Sequence, residues 1–348
     1  MRILLVSRQY GLGGTERRLT DLNTYFLEQS HESRIHYTIL NSNKFNNLLI
    51  IRIARLFLHI FIFRPTIVHA FDLETGIYIF LVRKLYPGHF LLISGLGAEK
   101  VYVPRTLELL KKQKYLPDLY INNNTKASKE LAELTSEIRP VYTIHNGLNT
   151  NRLKNAHPME SEVEQISKHK ITIGYIGKFD EIKHGERFIE LCVQLVERYD
   201  YPFQFIAIGD GPNRGKIDEM ISRLSPGLQS KFWIRKQVQD AGILARYFTI
   251  GILCSDSEGL PNVLLEYMYH GVPWISTNVG EVRKINKVPA GVIIDSWDID
   301  QFEKEIHQLI ENPEKYKQLA ENGRRLFRDK YSIEVMGDRV LEVYQQNL

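Results

Sequence analysis

The residues with the most chemical potential lie between Cys254 and Thr277, in CSDSEGLPNVLLEYMYHGVPWIST. A strand is expected to end near Cys254, Glu258 then sits in a loop, and Pro261 suits the first position of a helix. Asn262, Val263 and Leu264 would present unpaired backbone N–H groups at the positive end of that helix, a seat for a phosphate. Glu266 follows about one and a half turns in, at roughly 3.6 residues per turn. A carboxylate accepts two hydrogen bonds and suits a vicinal diol, as in a ribose or a hexose. The plainer alternative is a capped amphipathic helix with two solvated glutamates, although apolar helices seldom keep such a glutamate without a partner.

A second candidate is Gly11-Leu12-Gly13-Gly14-Thr15-Glu16, after the first expected strand and opening a helix. Its glycines allow close backbone approach to an anion. It is not a dinucleotide fingerprint, because Glu16 stands where a third glycine belongs and the second strand ends in Asn41 rather than an acid. Lys178 and Lys183 flank another strand end, and on spacing alone they read as surface lysines. His69 closes an apolar strand near Asp72, a place that more often holds a structural histidine.

Other chemistries lack their residues. No HExxH and no Cys/His cluster occurs, so no metal site is expected. Asp298-Ile299-Asp300 reads as the capped start of a helix Asp300–Glu311. Nor does the chain carry a nucleophile elbow or a Ser-His-Asp order. Cys192 and Cys254 form no CxxC pair and read as reduced thiols of a cytosolic protein.

The elements that must position these residues follow from the apolar runs. The 348 residues, 43% hydrophobic and 25% charged, correspond to about two domains rather than a disordered or disulfide-stapled chain. Strands are expected at Ile3–Ser7, Ile35–Leu40, Thr66–Ala70, Phe90–Ser94, Leu119–Asn122 and Val141–Ile144. In the second half they fall at Ile171–Ile176, Phe203–Ile208, Phe232–Arg235, Ile250–Cys254, Trp274–Ser276 and Val292–Ile294. Helical patterns intervene, among them Glu16–Gln29, Phe45–Phe61 and Lys126–Ser136, with a last helix at Ile333–Gln346. Continuous apolar strands alternating with helices mean an α/β protein with two doubly wound parallel sheets. The boundary falls in the turn-rich segment Asn146–Lys170.

The apolar run Ile3–Val6 is too short for a signal peptide, and Leu48–Phe63, with Arg52, Arg55 and His59, is too short and too charged to span a bilayer. The net charge of +4 is too mild to argue for nucleic acid. It is unevenly spread: residues 1–148 carry 19 Lys and Arg against 12 Asp and Glu, and residues 149–348 carry 26 against 29. Within the basic half, residues 44–64 hold four basic and no acidic residues at amphipathic spacing. They read either as a helix packed on a sheet with snorkelling arginines or as a peripheral contact with an anionic membrane.

The Glu258–Glu266 block has the Glu-x7-Glu pattern of the retaining glycosyltransferases of family 4 and resembles that family's donor block over about 25 positions, through Gly280. Further pieces arrive in the family's order: Gly13-Gly14-Thr15-Glu16, Ile67-Val68-His69-Ala70, the Asn146-Gly147 turn, Gly177-Lys178 with Lys183, and Gly209-Asp210-Gly211-Pro212. The resemblance implies a GT-B fold, two Rossmann-like domains facing across a cleft with C-terminal helices crossing back. Residues 1–150 would bind the acceptor, residues 165–330 a nucleotide-sugar donor, and residues 331–348 would pack back on the first domain.

By the same resemblance Glu266 binds the ribose and Glu258 the donor sugar. Lys178, Lys183 and the backbone of Gly13 and Gly14 steady the diphosphate, while Gly209, Gly259, Leu260, Pro261, Asn262 and Val263 complete the donor site and His69 faces the substrate. No metal or other cofactor is required, and the donor is UDP- or GDP-linked. Two departures stand out: Lys178 replaces the usual Arg, and Ser94-Gly95-Leu96-Gly97 stands where many relatives have His-Gly, so no catalytic histidine is carried onto that loop. The implied activity is hexose transfer to a glycan or lipid-linked glycan in bacterial surface polysaccharide synthesis. It would take place in the cytoplasm or on the inner face of the membrane, without nucleic acid. The rivals are a catalytically silent nucleotide-sugar-binding partner and a phosphorylase or epimerase of the same fold.

Overall fold

Twelve short parallel strands make two six-stranded sheets in the computed structural model, which describes residues 1–9, 14–39, 49–95, 116–135, 138–155, 170–236 and 241–348. The chain divides into one unit of Met1–Leu148 with Ile333–Leu348 and a second of Asn149–Ser332.

In the first unit, β1 (Arg2–Gln9), β2 (Glu32–Ile39), β3 (Ile67–Ala70), β4 (Leu91–Ser94), β5 (Leu119–Asn122) and β6 (Val141–Thr143) lie in the order β2-β1-β3-β4-β5-β6. Every residue of β3, β4 and β5 is buried, which is why these strands are mainly apolar rather than alternating, with His69, Ser94 and Asn122 as buried polar members. One face packs Ile3, Leu5, Ile67 and Ile93 against the helices Gly14–Glu28 and Ile333–Asn347. The C-terminal helix is tied down by the Tyr25 hydroxyl, which donates to Asp338 at 2.5 Å. The other face packs Leu4, Val68 and Leu92 against the helices Leu49–Phe63 and Leu73–Leu85.

In the second unit, β7 (Ile171–Ile176), β8 (Phe203–Ile208), β9 (Phe232–Arg235), β10 (Ile250–Leu253), β11 (Trp274–Thr277) and β12 (Gly291–Ile294) lie in the order β12-β11-β10-β7-β8-β9. The order reverses between β7 and β10, the place where open parallel sheets hold ligands. There Gly174 pairs with Gly251. A Cβ at either would overlap an aromatic ring, Phe248 over Gly174 and Tyr267 over Gly251. The bare backbone thus lets the helix Asn262–His270, which carries Tyr267, settle close to the sheet.

Several boundaries differ from those read in the sequence, among them β2, which starts at Glu32 rather than Ile35. Pro261 is the cap before the helix Asn262–His270, with φ −71° and ψ 105°, rather than its first residue. The helix expected at Phe45–Phe61 is described from Leu49 and runs to Phe63, and residues 45–48 lie outside the described residues. Asp298 caps the helix Ile299–Glu311 by accepting from the Gln301 N–H at 3.1 Å, so it serves that helix start.

Candidate functional site

The loops leaving β7 and β10 carry the predicted residues of the second unit to neighbouring positions. After β7 the chain turns through Lys178–His184 and enters the helix Gly185–Arg198. Asp180 shapes the turn, its Oδ1 accepting from the N–H groups of Ile182 at 3.1 Å and Lys183 at 2.9 Å. Beneath it the buried Tyr175 hydroxyl lies 3.1 Å from the Lys178 carbonyl and 3.2 Å from the Lys183 carbonyl, joining both ends of the loop. Burial alone would raise the Asp180 pKa, but those N–H groups and the Lys178 ammonium, 3.4 Å away, hold it below the ordinary carboxylate value.

The β10 loop meets this turn directly. The Asp256 N–H donates to the Ile182 carbonyl at 2.9 Å, and the Lys183 ammonium is ion-paired with Glu258. Glu258 also accepts from the Ser255 hydroxyl at 2.9 Å, and its side chain is 9% exposed against 30% for Lys183. Lys178, 59% exposed, reaches Asp180 rather than Glu258. From the far side Gly280 supports the loop at φ +53°. A Cβ there would overlap the carbonyl oxygens of Glu258 and Gly259. The Glu281 N–H donates to the Gly259 carbonyl at 3.0 Å.

Beyond the loop, Leu260 is buried, while Gly259, Asn262 and Val263 are half-buried at the helix start. Pro261 has no side-chain acceptor to offer the first N–H groups of this helix. Glu266 is buried on the helix face toward the 3-10 turn Ala241–Tyr247. A Cβ at Gly242 would lie 2.7 Å from its Oε2. Neither glutamate is therefore a solvated surface residue. Gly209 lies at the end of β8, where a Cβ would overlap the Gly177 carbonyl, so it sits against the β7 loop.

Several residues of this cluster escaped sequence reading, Asp180, Ser255 and Tyr175 among them. His184, left-handed at φ 53°, places Nδ1 2.9 Å from Glu186 and Nε2 2.7 Å from Asp256. Arg187 donates to Asp256 at 2.5 Å and to the Cys254 carbonyl at 3.0 Å. Together they clamp the β7 loop to the β10 loop. A left-handed residue directly after Lys183 is the sole hint, and it does not show in residue type.

In the first unit the picture differs. His69 is 1% exposed, its Nδ1 2.7 Å from the Tyr344 hydroxyl and its ring stacked on Phe71 at 4.6 Å. Burial, then the nearby Arg18 charge, holds the imidazole well below its usual pKa. The expectation that His69 faces a substrate is corrected: it is a neutral core residue whose partner comes from the C-terminal helix. Ser94 is buried and donates to the Asp72 carbonyl at 3.3 Å. Gly14 opens its helix, whereas Gly13, Leu96 and Gly97 lie outside the described residues. Among the described residues, no group of three or more His, Cys, Asp or Glu side chains is placed to hold a metal ion.

Residues 158–326 match the family of glycosyl transferases group 1. The relatives include an alpha-D-kanosaminyltransferase of Streptomyces kanamyceticus, 26% identical over 49% of this chain and 45% of its own. The capsular polysaccharide biosynthesis glycosyltransferase CapM of Staphylococcus aureus is 22% identical over 53% of this chain and 49% of its own. The chain thus spans about half the length of these curated relatives. Among solved structures, Anabaena HepE in complex with UDP superposes with a TM-score of 0.78 at 15% identity, covering 99% of this chain and 100% of that one. WaaG, a glycosyltransferase of lipopolysaccharide biosynthesis, gives 0.71 at 14% identity, covering 98% and 99%. The fold is GT-B.

Proposed function

We propose that this chain is a retaining, metal-independent glycosyltransferase. It would move a hexose or N-acetylhexosamine from a UDP- or GDP-linked donor to a hydroxyl of a glycan or lipid-linked glycan, in bacterial surface polysaccharide synthesis. The observation that carries the reading is the meeting of Lys183 and Glu258 at the β7/β10 switch point, with the buried Glu266 in the helix that follows the Glu258 loop. Crystals of the fold relative HepE contain UDP and UDP-glucose, which supports a nucleotide-sugar donor.

In this reading the second unit holds the donor. Glu266 takes the ribose hydroxyls, and the helix start at Asn262 and Val263 takes the phosphates. Lys183 and the more exposed Lys178 supply the positive charge that the departing diphosphate needs. Glu258 holds the sugar hydroxyls, with Ser255 fixing its carboxylate. The bond from the anomeric carbon to the phosphate oxygen breaks as the acceptor oxygen bonds that carbon on the same face. The acceptor proton passes to an oxygen of the leaving diphosphate, so no side-chain base is needed. The first unit binds the acceptor.

Membrane contact belongs to the same proposal. The helix Leu49–Phe63 turns Ile50, Leu58, Phe61 and Ile62 outward, whereas Arg52 lies over the Tyr78 ring and Arg55 reaches the Tyr37 carbonyl. An apolar outer face followed directly by the exposed Arg64 suits the surface of an anionic bilayer on the cytoplasmic side. No helix among the described residues is long and apolar enough to cross a membrane. Flotation with anionic vesicles that is lost in Phe61→Ser/Ile62→Ser would support the contact, and equal flotation would refute it.

The activity itself is tested by incubating the purified chain with UDP- and GDP-hexoses and following release of nucleoside diphosphate, with and without EDTA. Slow donor hydrolysis that resists EDTA and disappears in Glu258→Gln supports the reading. Donor binding without turnover, with or without acceptor glycans, would favour a silent partner.

A further inference from the structure

Arg18 occupies the second turn of the helix Gly14–Glu28 and is 5% exposed. Among the described residues its Nε and Nη2 have no hydrogen-bond partner. Burial pushes its pKa down to about 10, so it remains a cation at neutral pH. Among the described residues its electrostatic neighbours are a phenol and an imidazole rather than a carboxylate. The guanidinium stands 5.6 Å from the Phe71 ring centroid, and the electrostatic neighbours His69 and Tyr344 hydrogen-bond each other. Burial keeps both neutral, holding the imidazole low and the phenol high. Burying a guanidinium with two unpartnered nitrogens is costly, and a cation–π contact offsets only part of that cost.

The direction of the side chain is informative. Helical side chains lean toward the N-terminus of their helix. Phe71 directly follows β3 and donates its N–H to the Val6 carbonyl, marking the carboxyl end of the sheet. Arg18 therefore reaches to where its own helix begins, beside β1 and β3, the strands between which the order of this sheet reverses. The positive helix end and a guanidinium with two unpartnered nitrogens converge there.

We propose that Arg18 is an anion-binding residue of the first unit and that its ligand is a phosphate-type group. The chemistry fits either a phosphate carried by the acceptor or the diphosphate of the donor. Lys183, Glu258 and Glu266 all belong to the second unit.

The test uses the full chain with Arg18→Met, which keeps volume without charge, and Arg18→Lys, which keeps charge without the fork. Each is made with and without Lys183→Ala. Melting and titration are followed with inorganic phosphate, glycerol 3-phosphate and UDP. Without ligand, Arg18→Met should melt no lower than the natural chain. Arg18→Met should bind at least one of these anions roughly tenfold more weakly, the loss of a charged hydrogen bond, with Arg18→Lys between. An effect on the monophosphates that survives Lys183→Ala assigns the site to an acceptor phosphate. An effect confined to UDP and dependent on Lys183 assigns it to the donor. A lower unliganded melting temperature in Arg18→Met, or unchanged affinity for all three anions, would overturn the proposal. UDP binding lost in Glu266→Ala while the Arg18 variants bind normally would sink this inference alone and leave the donor site standing.

Discussion

Lys183 and Glu258, 75 residues apart, form an ion pair across the loops that leave β7 and β10. The Ser255 hydroxyl holds the same Glu258 oxygen, and Asp180 shapes the turn that presents the lysine. In the proposed reaction a diphosphate competes with Glu258 for the ammonium, so donor arrival would release the carboxylate toward the sugar. The pair then couples binding at one end of the donor to chemistry at the other.

Lys183→Ala should lower donor turnover roughly 100-fold, the scale for removing one preorganised group that stabilises developing charge. Because its partner is Glu258, the loss should be non-additive with Glu258→Gln in a double-mutant cycle of kcat. Strictly additive losses would mean that the two residues act separately.

Gly280→Ala should damage activity beyond its cost in stability. The side chain would need φ near +53° and would overlap the Glu258 and Gly259 carbonyls, a strain of about 1–3 kcal/mol. The loop that carries Glu258 should move to relieve it. Comparing melting temperature with kcat separates the two effects.

Gly242→Ala offers a test of the Glu266 seat that leaves Glu266 itself in place. Its Cβ would crowd the carboxylate, so nucleotide affinity should fall as it does in Glu266→Ala, at an overpacking cost of about 1–3 kcal/mol. Titration with UDP or GDP reads this directly.

Stability should fall on acidification from near neutrality. Burial is the main cause that holds His36 and His270 down to about 4 and His69 well below its usual value, against 6.5 for an exposed imidazole. The unfolded chain then binds more protons, so the stability these neutral rings contribute is full above pH 6.5 and is lost as pH drops toward 4. Asp180 adds a second loss at lower pH, since its depressed pKa makes its contribution full above 3.8 and lost as pH falls through its folded value. Melting curves between pH 7.5 and 4.5 should show the first slope, and His270→Gln should reduce it.

Much of this architecture was legible because parallel strands covered on both faces leave mainly apolar runs. Ile171–Ile176, Phe203–Ile208 and Phe232–Arg235 fall where the sequence places them. The Glu258–Glu266 spacing was legible too, since one loop and one helix carry it. What could not be read was the long-range pairing. The family resemblance turns His69 toward a substrate, but its partner is Tyr344, 275 residues on, which no local pattern reveals. His184 and Asp256, 72 residues apart, carry no sign in their types that they clamp two loops together. Tyr175 read as strand core, and its hydroxyl beneath the lysine turn depends on a loop that returns over it.

The measurement that bears most directly on the central claim is a titration of the full chain with UDP, GDP and ADP, repeated on Glu266→Ala and Lys183→Ala. The account predicts that one nucleoside diphosphate binds clearly, that Glu266→Ala abolishes the preference for it, and that Lys183→Ala weakens it roughly tenfold. At about 100 times the dissociation constant, such a ligand should add roughly 2.7 kcal/mol to the apparent stability. No binding of any nucleotide, or binding untouched by both substitutions, would contradict a donor site at the β7/β10 switch point.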